Sequence, residues 1–192
     1  MSNEAKNVSD GAEKKMDWKK ELLSWVLYIG AVIVLTWFIL TFVGQRTVVE
    51  GRSMNSTLNN RDNLIVEKIS YRFHDPERFD IIVFPPYDTK EYYIKRIIGL
   101  PGETIQIDGE GNIYINGELL EEEYGLEPIK NPGRAIEPVV LGDDEYFVMG
   151  DNRNNSVDSR DSRVGNVKRD AIIGRAWVLI WPLSDFGLLK HQ

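Results

Sequence analysis

The stretch EYYIKRIIGLPGETIQIDGEGNIYING, Glu91–Gly117, decides how the chain is read. Its apolar residues do not recur at helical spacing. They come in short blocks of Ile and Tyr, cut by Gly-Leu-Pro-Gly, by Asp-Gly-Glu-Gly-Asn and by Asn-Gly. Branched and aromatic residues set between Gly, Pro, Asn and Asp mark strands joined by turns. TIQIDGEGNIYING reads as a hairpin with its turn at Asp108–Asn112. In YYIKRII, strand alternation puts Tyr93, Lys95 and Ile97 on one face. Tyr92, Ile94, Arg96 and Ile98 take the other.

The same texture extends outward. NLIVEKI, DIIVF, EYFVMG and AIIGRAWVLIW are further strand candidates, and few segments between them have a helical period. The expected fold class is mainly β: an antiparallel β-sheet domain over residues 45–192. EEEYGLEPIKNPGRAIEPVV has three prolines and no clear period, so it reads as a long loop, either a surface excursion or a substrate-facing element. No internal repeat is visible.

Toward the N-terminus the texture changes. LLSWVLYIGAVIVLTWFILTFVG, residues 22–44, carries no charge over 23 positions. As a helix it is about 34 Å long, enough to cross a hydrocarbon core of about 30 Å. A cleaved signal peptide has a shorter apolar region and a small-residue exit. This exit reads GQRTVVEG, so the segment is expected to be a retained transmembrane anchor in the lipid bilayer. Lys14, Lys15, Lys19 and Lys20 before it outnumber Arg46, Arg52 and Arg61 after it. That bias places the N-terminus in the cytoplasm and the β domain outside. Trp18, Trp25, Trp37 and Phe42 are candidate interface anchors. Residues 1–21 form a polar cytoplasmic tail.

The chain has no cysteine, which excludes disulfides, thiolate metal sites and a cysteine nucleophile. The net charge of −7 falls entirely on residues 46–192, because residues 1–21 balance five lysines against five acids. An acidic domain argues against nucleic acid as a partner.

Ser53 follows the apolar run by nine residues, inside GRSMNSTL. A serine becomes a nucleophile only when a base takes its proton. The chain has two histidines. His191 is penultimate, and His74 lies in the polar turn RFHDPERFD, so a Ser–His–Asp triad is poorly supported. A lysine can serve if burial lowers its pKa from about 10.4. Lys95 has an apolar neighbour on each side along its own face, which suits that role. A lysine blocking an edge strand fits the same pattern. MGDNRNNSVDSRDSRVG, Met149–Gly165, is dense in polar groups. Arg153 and Ser156 break the pattern of a calcium loop. A solvated turn and a buried Asp–Arg support network both remain open.

Three of these segments, in this order, resemble the type I signal peptidases (leader peptidases), membrane serine proteases that remove signal peptides. GRSMNSTL is similar to their nucleophile box, YIKRIIGLPGE to their lysine box, and GDNRNNSVDSRDSRVG to their downstream support box. IIGRAWVLIWP is similar to their closing strand. The single anchor and short spacing look like the small Gram-positive-type enzymes. The resemblance implies Ser53 as nucleophile and Lys95 as general base. It implies Ser156 bonded near the lysine to orient it, with Asp158, Arg160, Asp151 and Arg153 in the support network. The oxyanion donor is then the Ser53 backbone N–H. Some members add a serine hydroxyl two positions earlier, where this chain has Gly51. The box usually has proline where this chain has Ser56, which is expected to loosen the turn and lower activity.

The implied substrates are exported preproteins with small residues at the first and third positions before the cut, met at the membrane surface near the secretion translocon. Met54 is expected at an apolar, membrane-facing edge. No metal or cofactor is implied. Two other functions share features with the chain: a self-cleaving Ser–Lys protease, and a membrane-anchored β binding module with an inert dyad. Asn55-Ser56-Thr57 matches a glycosylation acceptor and is read as a chance match.

Overall fold

The structure is a computed structural model that describes residues 18–39, 44–86 and 91–189. It contains two compact units, residues 1–39 and 40–192. The first holds helix α1, Trp18–Phe38, none of whose side chains is buried. It is the one helix among the described residues that is long and apolar enough to cross a membrane. Most of the expected tail lies outside the described residues. Its last four positions, 18–21, are already helical.

The second unit is mainly antiparallel β, as the texture of the sequence predicts. Its larger sheet contains β1 (Gly44–Val48), β2 (Asn63–Glu67), β3 (Ile81–Phe84), β4 (Tyr93–Gly99), β9 (Glu145–Met149), β10 (Val167–Lys168), β11 (Gly174–Trp181) and β12 (Gly187–Leu188). The order is β1-β2-β11-β3-β4-β9-β10, with β12 paired to β11. The smaller sheet runs β7-β6-β5-β8, from β5 (Thr104–Ile107), β6 (Ile113–Ile115), β7 (Glu118–Leu119) and β8 (Val139–Val140).

The hairpin forms where expected. β5 pairs with β6 from Ile105–Ile115 to Ile107–Ile113. Asp108 closes the turn by accepting from the backbone N–H groups of Glu110 and Asn112. The anchor boundary differs from the sequence reading. Gly44, read as the last residue of the span, opens β1 and pairs with Glu67. The long loop also gains structure, a turn of 3-10 helix at Gly133–Ile136 followed by β8 against β5.

β4 is the strand that organises the unit. It lies between β3 and β9, so Lys95 and Arg96 are on an interior strand, which removes the edge-lysine reading. Ile94 packs with Met54, Leu58, Leu64, Ile81 and Ala176. Ile98 packs with Ile105, Ile113, Phe147 and Met149. Ile97 and Tyr93 pack with Ile82, Phe84 and Val148. Each fully buried Ile or Leu contributes about 1.5–3 kcal/mol of hydrophobic stabilisation. The polar groups between them are therefore held by three apolar clusters.

Candidate active site

The segment after β1 folds back on itself to present Ser53. Val49 donates to the Asp62 carbonyl at 2.8 Å, and Arg61 donates to the Val49 carbonyl at 2.9 Å. Within this closed loop Gly51 adopts φ 98°, a conformation that a side chain would strain. Leu58 N–H donates to the Met54 carbonyl at 2.8 Å. That single turn sends Met54 and Leu58 inward together, at 2% and 0% exposure. Met54 is thus a core anchor of the Ser53 loop, not a membrane-facing residue. A flexible thioether suits the irregular space beneath a turn.

Lys95 comes to Ser53 from β4. Its Nζ donates to Ser53 Oγ at 2.7 Å and to the Ile94 carbonyl at 3.1 Å. The ammonium also stands 4.9 Å from the centre of the Tyr93 ring. Lys95 is 4% exposed and forms no ion pair among the described residues. Burial pushes its pKa down to about 8, against the smaller opposing pull of the Asp158 and Asp151 carboxylates. Ser53 and Lys95 share a groove of about 560 Å3, bordered by the end of β1, the Ser53 loop, Tyr92–Ile94, Asn155 and Val157. No residue of FDIIVFPP, residues 79–86, is among those lining it.

The support segment closes the other side. Gly150 donates to Asp158 Oδ2 at 3.0 Å, and Asp158 is itself paired with Arg160 at 2.8 Å. Asn152 N–H donates to the Ser53 carbonyl at 3.0 Å. A Cβ on Gly150 would stand 2.4 Å from both the Ser53 carbonyl oxygen and Ser156 Oγ, so only glycine fits between them. A buried amine of lowered pKa, bonded to a serine hydroxyl in an open groove, can take the hydroxyl proton and start acyl transfer.

Residues 22–181 match the family described as signal peptidase, peptidase S26. The chain is 45% identical over 166 residues to a probable signal peptidase I-2 of Synechocystis sp., covering 83% of this chain and 73% of that one. A signal peptidase I of Leptolyngbya laminosa is 45% identical over 176 residues, covering 88% and 84%. A signal peptidase I P of Bacillus subtilis subsp. natto is 34% identical over 179 residues, covering 90% and 96%. The chain belongs to the signal peptidase family, peptidase S26. It is an enzyme of the signal peptidase I type, a serine endopeptidase. The small Bacillus enzymes are among its relatives, as the motif spacing implies, while the cyanobacterial proteins share more of its residues.

In this signal peptidase the four expected support residues are linked by hydrogen bonds, with Arg160 paired to Asp158 and donating to the Arg153 carbonyl at 2.5 Å, and the Arg153 N–H donating to the Asp151 carbonyl at 3.0 Å, while the charged ends of Asp151 and Arg153 pair with residues outside the set. Asp151 pairs with Arg96, which donates from Nε at 2.9 Å and from Nη2 at 2.7 Å, and both side chains are wholly buried. Thr57 also donates to Asp151, and Arg96 stacks on Tyr124 with 3.5 Å between its Cζ and the ring centre. Arg153 pairs with Glu122 through two bonds of 2.6 and 2.9 Å. Arg96, Thr57, Tyr124 and Glu122 were thus missed by the reading of the sequence. The signal for Arg96 was present, since an arginine between two isoleucines on a strand face needs a buried acid.

Ser156 Oγ is buried without a hydrogen-bond partner, so the bond expected between it and the lysine's surroundings is not formed in this signal peptidase. The Gly51 N–H is already committed to Asn60 Oδ1 at 3.0 Å. His74 is exposed and its ring bonds to the Asp75 carbonyl, while His191 lies outside the described residues. His74 does not border the groove.

Proposed function

We propose that this protein is a membrane-anchored endopeptidase that removes signal peptides, with Ser53 as nucleophile and Lys95 as general base. The observation that carries the assignment is the 2.7 Å contact between Lys95 Nζ and Ser53 Oγ at a lysine shielded from water. Neutral Lys95 takes the hydroxyl proton as Oγ attacks the scissile carbonyl. The Ser53 N–H stabilises the oxyanion. The Lys95 ammonium then protonates the leaving amine, which departs as the new N-terminus of the mature protein. A water attacks the acyl-enzyme, gives its proton to Lys95, and the ester breaks to return the Ser53 hydroxyl.

Asp158 and Asp151 raise the lysine's pKa and so restrain the effect of burial. Their partners, Arg160 and Arg96, hold both carboxylates in place, while Arg153 ties the segment to Glu122. Ser156 and Gly51 complete the surroundings of the dyad. The substrates on this reading are exported preproteins with Ala-x-Ala cleavage sites. Helix α1 sits in the bilayer with the N-terminus cytoplasmic, residues 45–192 lie outside, and the translocon is nearby. Nine residues connect the span read from the sequence to Ser53, which keeps the nucleophile within about 30 Å of the membrane exit. The retained Ser53–Lys95 contact favours an active protease over an inert binding module.

The test is cleavage of a preprotein bearing an Ala-x-Ala site by detergent-solubilised protein. Wild type cuts after that site, whereas Ser53→Ala and Lys95→Ala, folded by thermal melting, do not. Cutting by Lys95→Ala would reassign the base, and an inert wild type would overturn the assignment.

A further inference from the structure

We infer that Asn152 is a positioning residue that aligns the Arg52–Ser53 peptide as oxyanion donor, an inference that rests on Ser53 being the nucleophile. One residue brackets Ser53 from both sides. The Asn152 side-chain amide donates from Nδ2 to the Arg52 carbonyl at 3.1 Å. Its backbone N–H donates to the Ser53 carbonyl at 3.0 Å. The peptides before and after the nucleophile are therefore both held by Asn152.

The first of these bonds bears on chemistry. The carbonyl of Arg52 and the N–H of Ser53 belong to one planar peptide, so fixing the oxygen fixes the direction of the N–H. Donation to that oxygen also polarises the N–H and strengthens it as a donor. Among the described residues nothing accepts from the Ser53 N–H, while the Arg52 carbonyl accepts twice, from Asn152 and from the Asn55 N–H at 3.2 Å. The donor is thus uncommitted among the described residues, and the far end of its peptide is doubly bound.

Asn152 is itself held firmly. It follows Asp151, whose carboxylate is fixed by Arg96 and Thr57, and its carbonyl accepts from Asn155 N–H at 2.9 Å. Preorganisation of this kind is what an oxyanion donor needs, because no reorientation remains for the moment of reaction. The requirement is sharper here than in relatives with a hydroxyl at the position of Gly51. Gly51 has no side-chain donor, and its N–H is taken by Asn60. The peptide that Asn152 holds therefore carries the oxyanion without that help.

The experiment compares full-length wild type, Asn152→Ala and Asn152→Asp in detergent. Asp keeps the size of Asn but has no N–H to give, and it leaves the backbone bond to Ser53 in place, so it remains informative if Ala disturbs folding. Five quantities are read: kcat, KM, the midpoint of the pH profile, the affinity for a signal-peptide aldehyde, and the affinity for the same peptide ending in an alcohol. The aldehyde adds to Ser53 Oγ and places its oxygen where the oxyanion forms; the alcohol only occupies the groove. We expect kcat and aldehyde affinity to fall together by about 10- to 100-fold, less than the loss of an oxyanion donor itself. KM, alcohol affinity and, in Asn152→Ala, the midpoint of the pH profile should stay put; the new carboxylate of Asn152→Asp raises the lysine's pKa, so its kcat is read on the plateau above the midpoint. Equal weakening of both peptides, a displaced pH midpoint in Asn152→Ala, or an unchanged plateau kcat in Asn152→Asp would overturn the inference. Turnover retained in Ser53→Ala would instead overturn the nucleophile reading on which it rests.

Discussion

Lys95 and Arg96 are consecutive on β4, both are buried, and their charged ends meet opposite fates. The guanidinium of Arg96 is locked to Asp151, whereas the amine of Lys95 has a hydroxyl, a carbonyl and an aromatic ring but, among the described residues, no carboxylate within salt-bridge distance. One strand thus carries a permanently paired cation and a cation that can lose its proton. The first maintains the fold and the second can do chemistry.

On the proposed mechanism, the titration of Lys95 sets the pH dependence of the rate. With a pKa near 8, kcat/KM should rise about tenfold per pH unit below that value and level off above it. Asp158 raises the lysine's pKa, so Asp158→Asn should move the rising limb to lower pH. A pH–rate profile of both proteins checks the midpoint and the direction of its displacement. Lys95→Arg should be inert at every pH, since a guanidinium stays protonated.

Burying Lys95 also costs stability. The unfolded chain holds this proton up to about pH 10.5 and the folded one only to about 8, so between those values the unfolded state binds more protons. Stability contributed by this group therefore rises with pH from about 8 to 10.5, and below 8 the full penalty is present. Lys95→Met should be inactive yet more stable at pH 7, by at most about 3 kcal/mol. Urea unfolding at pH 7 and at pH 9.5 checks that the gap narrows at the higher pH.

The Arg96–Asp151 pair predicts an asymmetric response to mutation. Asp151→Ala leaves a buried guanidinium uncompensated and should cost about 3–5 kcal/mol. Replacing both partners with apolar residues, Arg96→Met with Asp151→Leu, should recover most of that loss. Chemical denaturation of the single and double variants gives the comparison.

Gly150→Ala tests how closely the support segment approaches the nucleophile. The added methyl would stand 2.4 Å from the Ser53 carbonyl oxygen, a backbone atom that must then shift. Displacement of the nucleophile by about 1 Å costs about 100-fold in rate. Turnover should fall by that order while circular dichroism and the thermal midpoint stay close to wild type.

Local pattern carried part of this. The faces of β4, the Asp108–Asn112 turn and the seven strand segments follow from alternation and turn residues, which act over a few positions. Apolar spacing also singled out Lys95, because flanking Tyr93 and Ile97 declare its burial. What the sequence hid depends on pairings across long separations. Glu122 meets Arg153 across 31 positions, and Asn152 reaches Arg52 across 100. Nothing near Glu122 separates it from Glu121 and Glu123. Met54 misled for a related reason: a lone methionine in a polar loop looks exposed until the turn that buries it has formed.

The suppressed basicity of Lys95 has a use in reagent chemistry. At pH 7 about a tenth of its amine is unprotonated, against under about a thousandth for a lysine at its reference value. Acylating and carbamoylating agents react only with the free amine. A small electrophile such as cyanate, supplied sparingly, therefore meets a large kinetic contrast between Lys95 and the surface lysines. The groove beside Ser53 gives it entry. The folded protein thus carries a built-in preference for covalent tagging at Lys95 over lysines of ordinary basicity, and unfolding erases it.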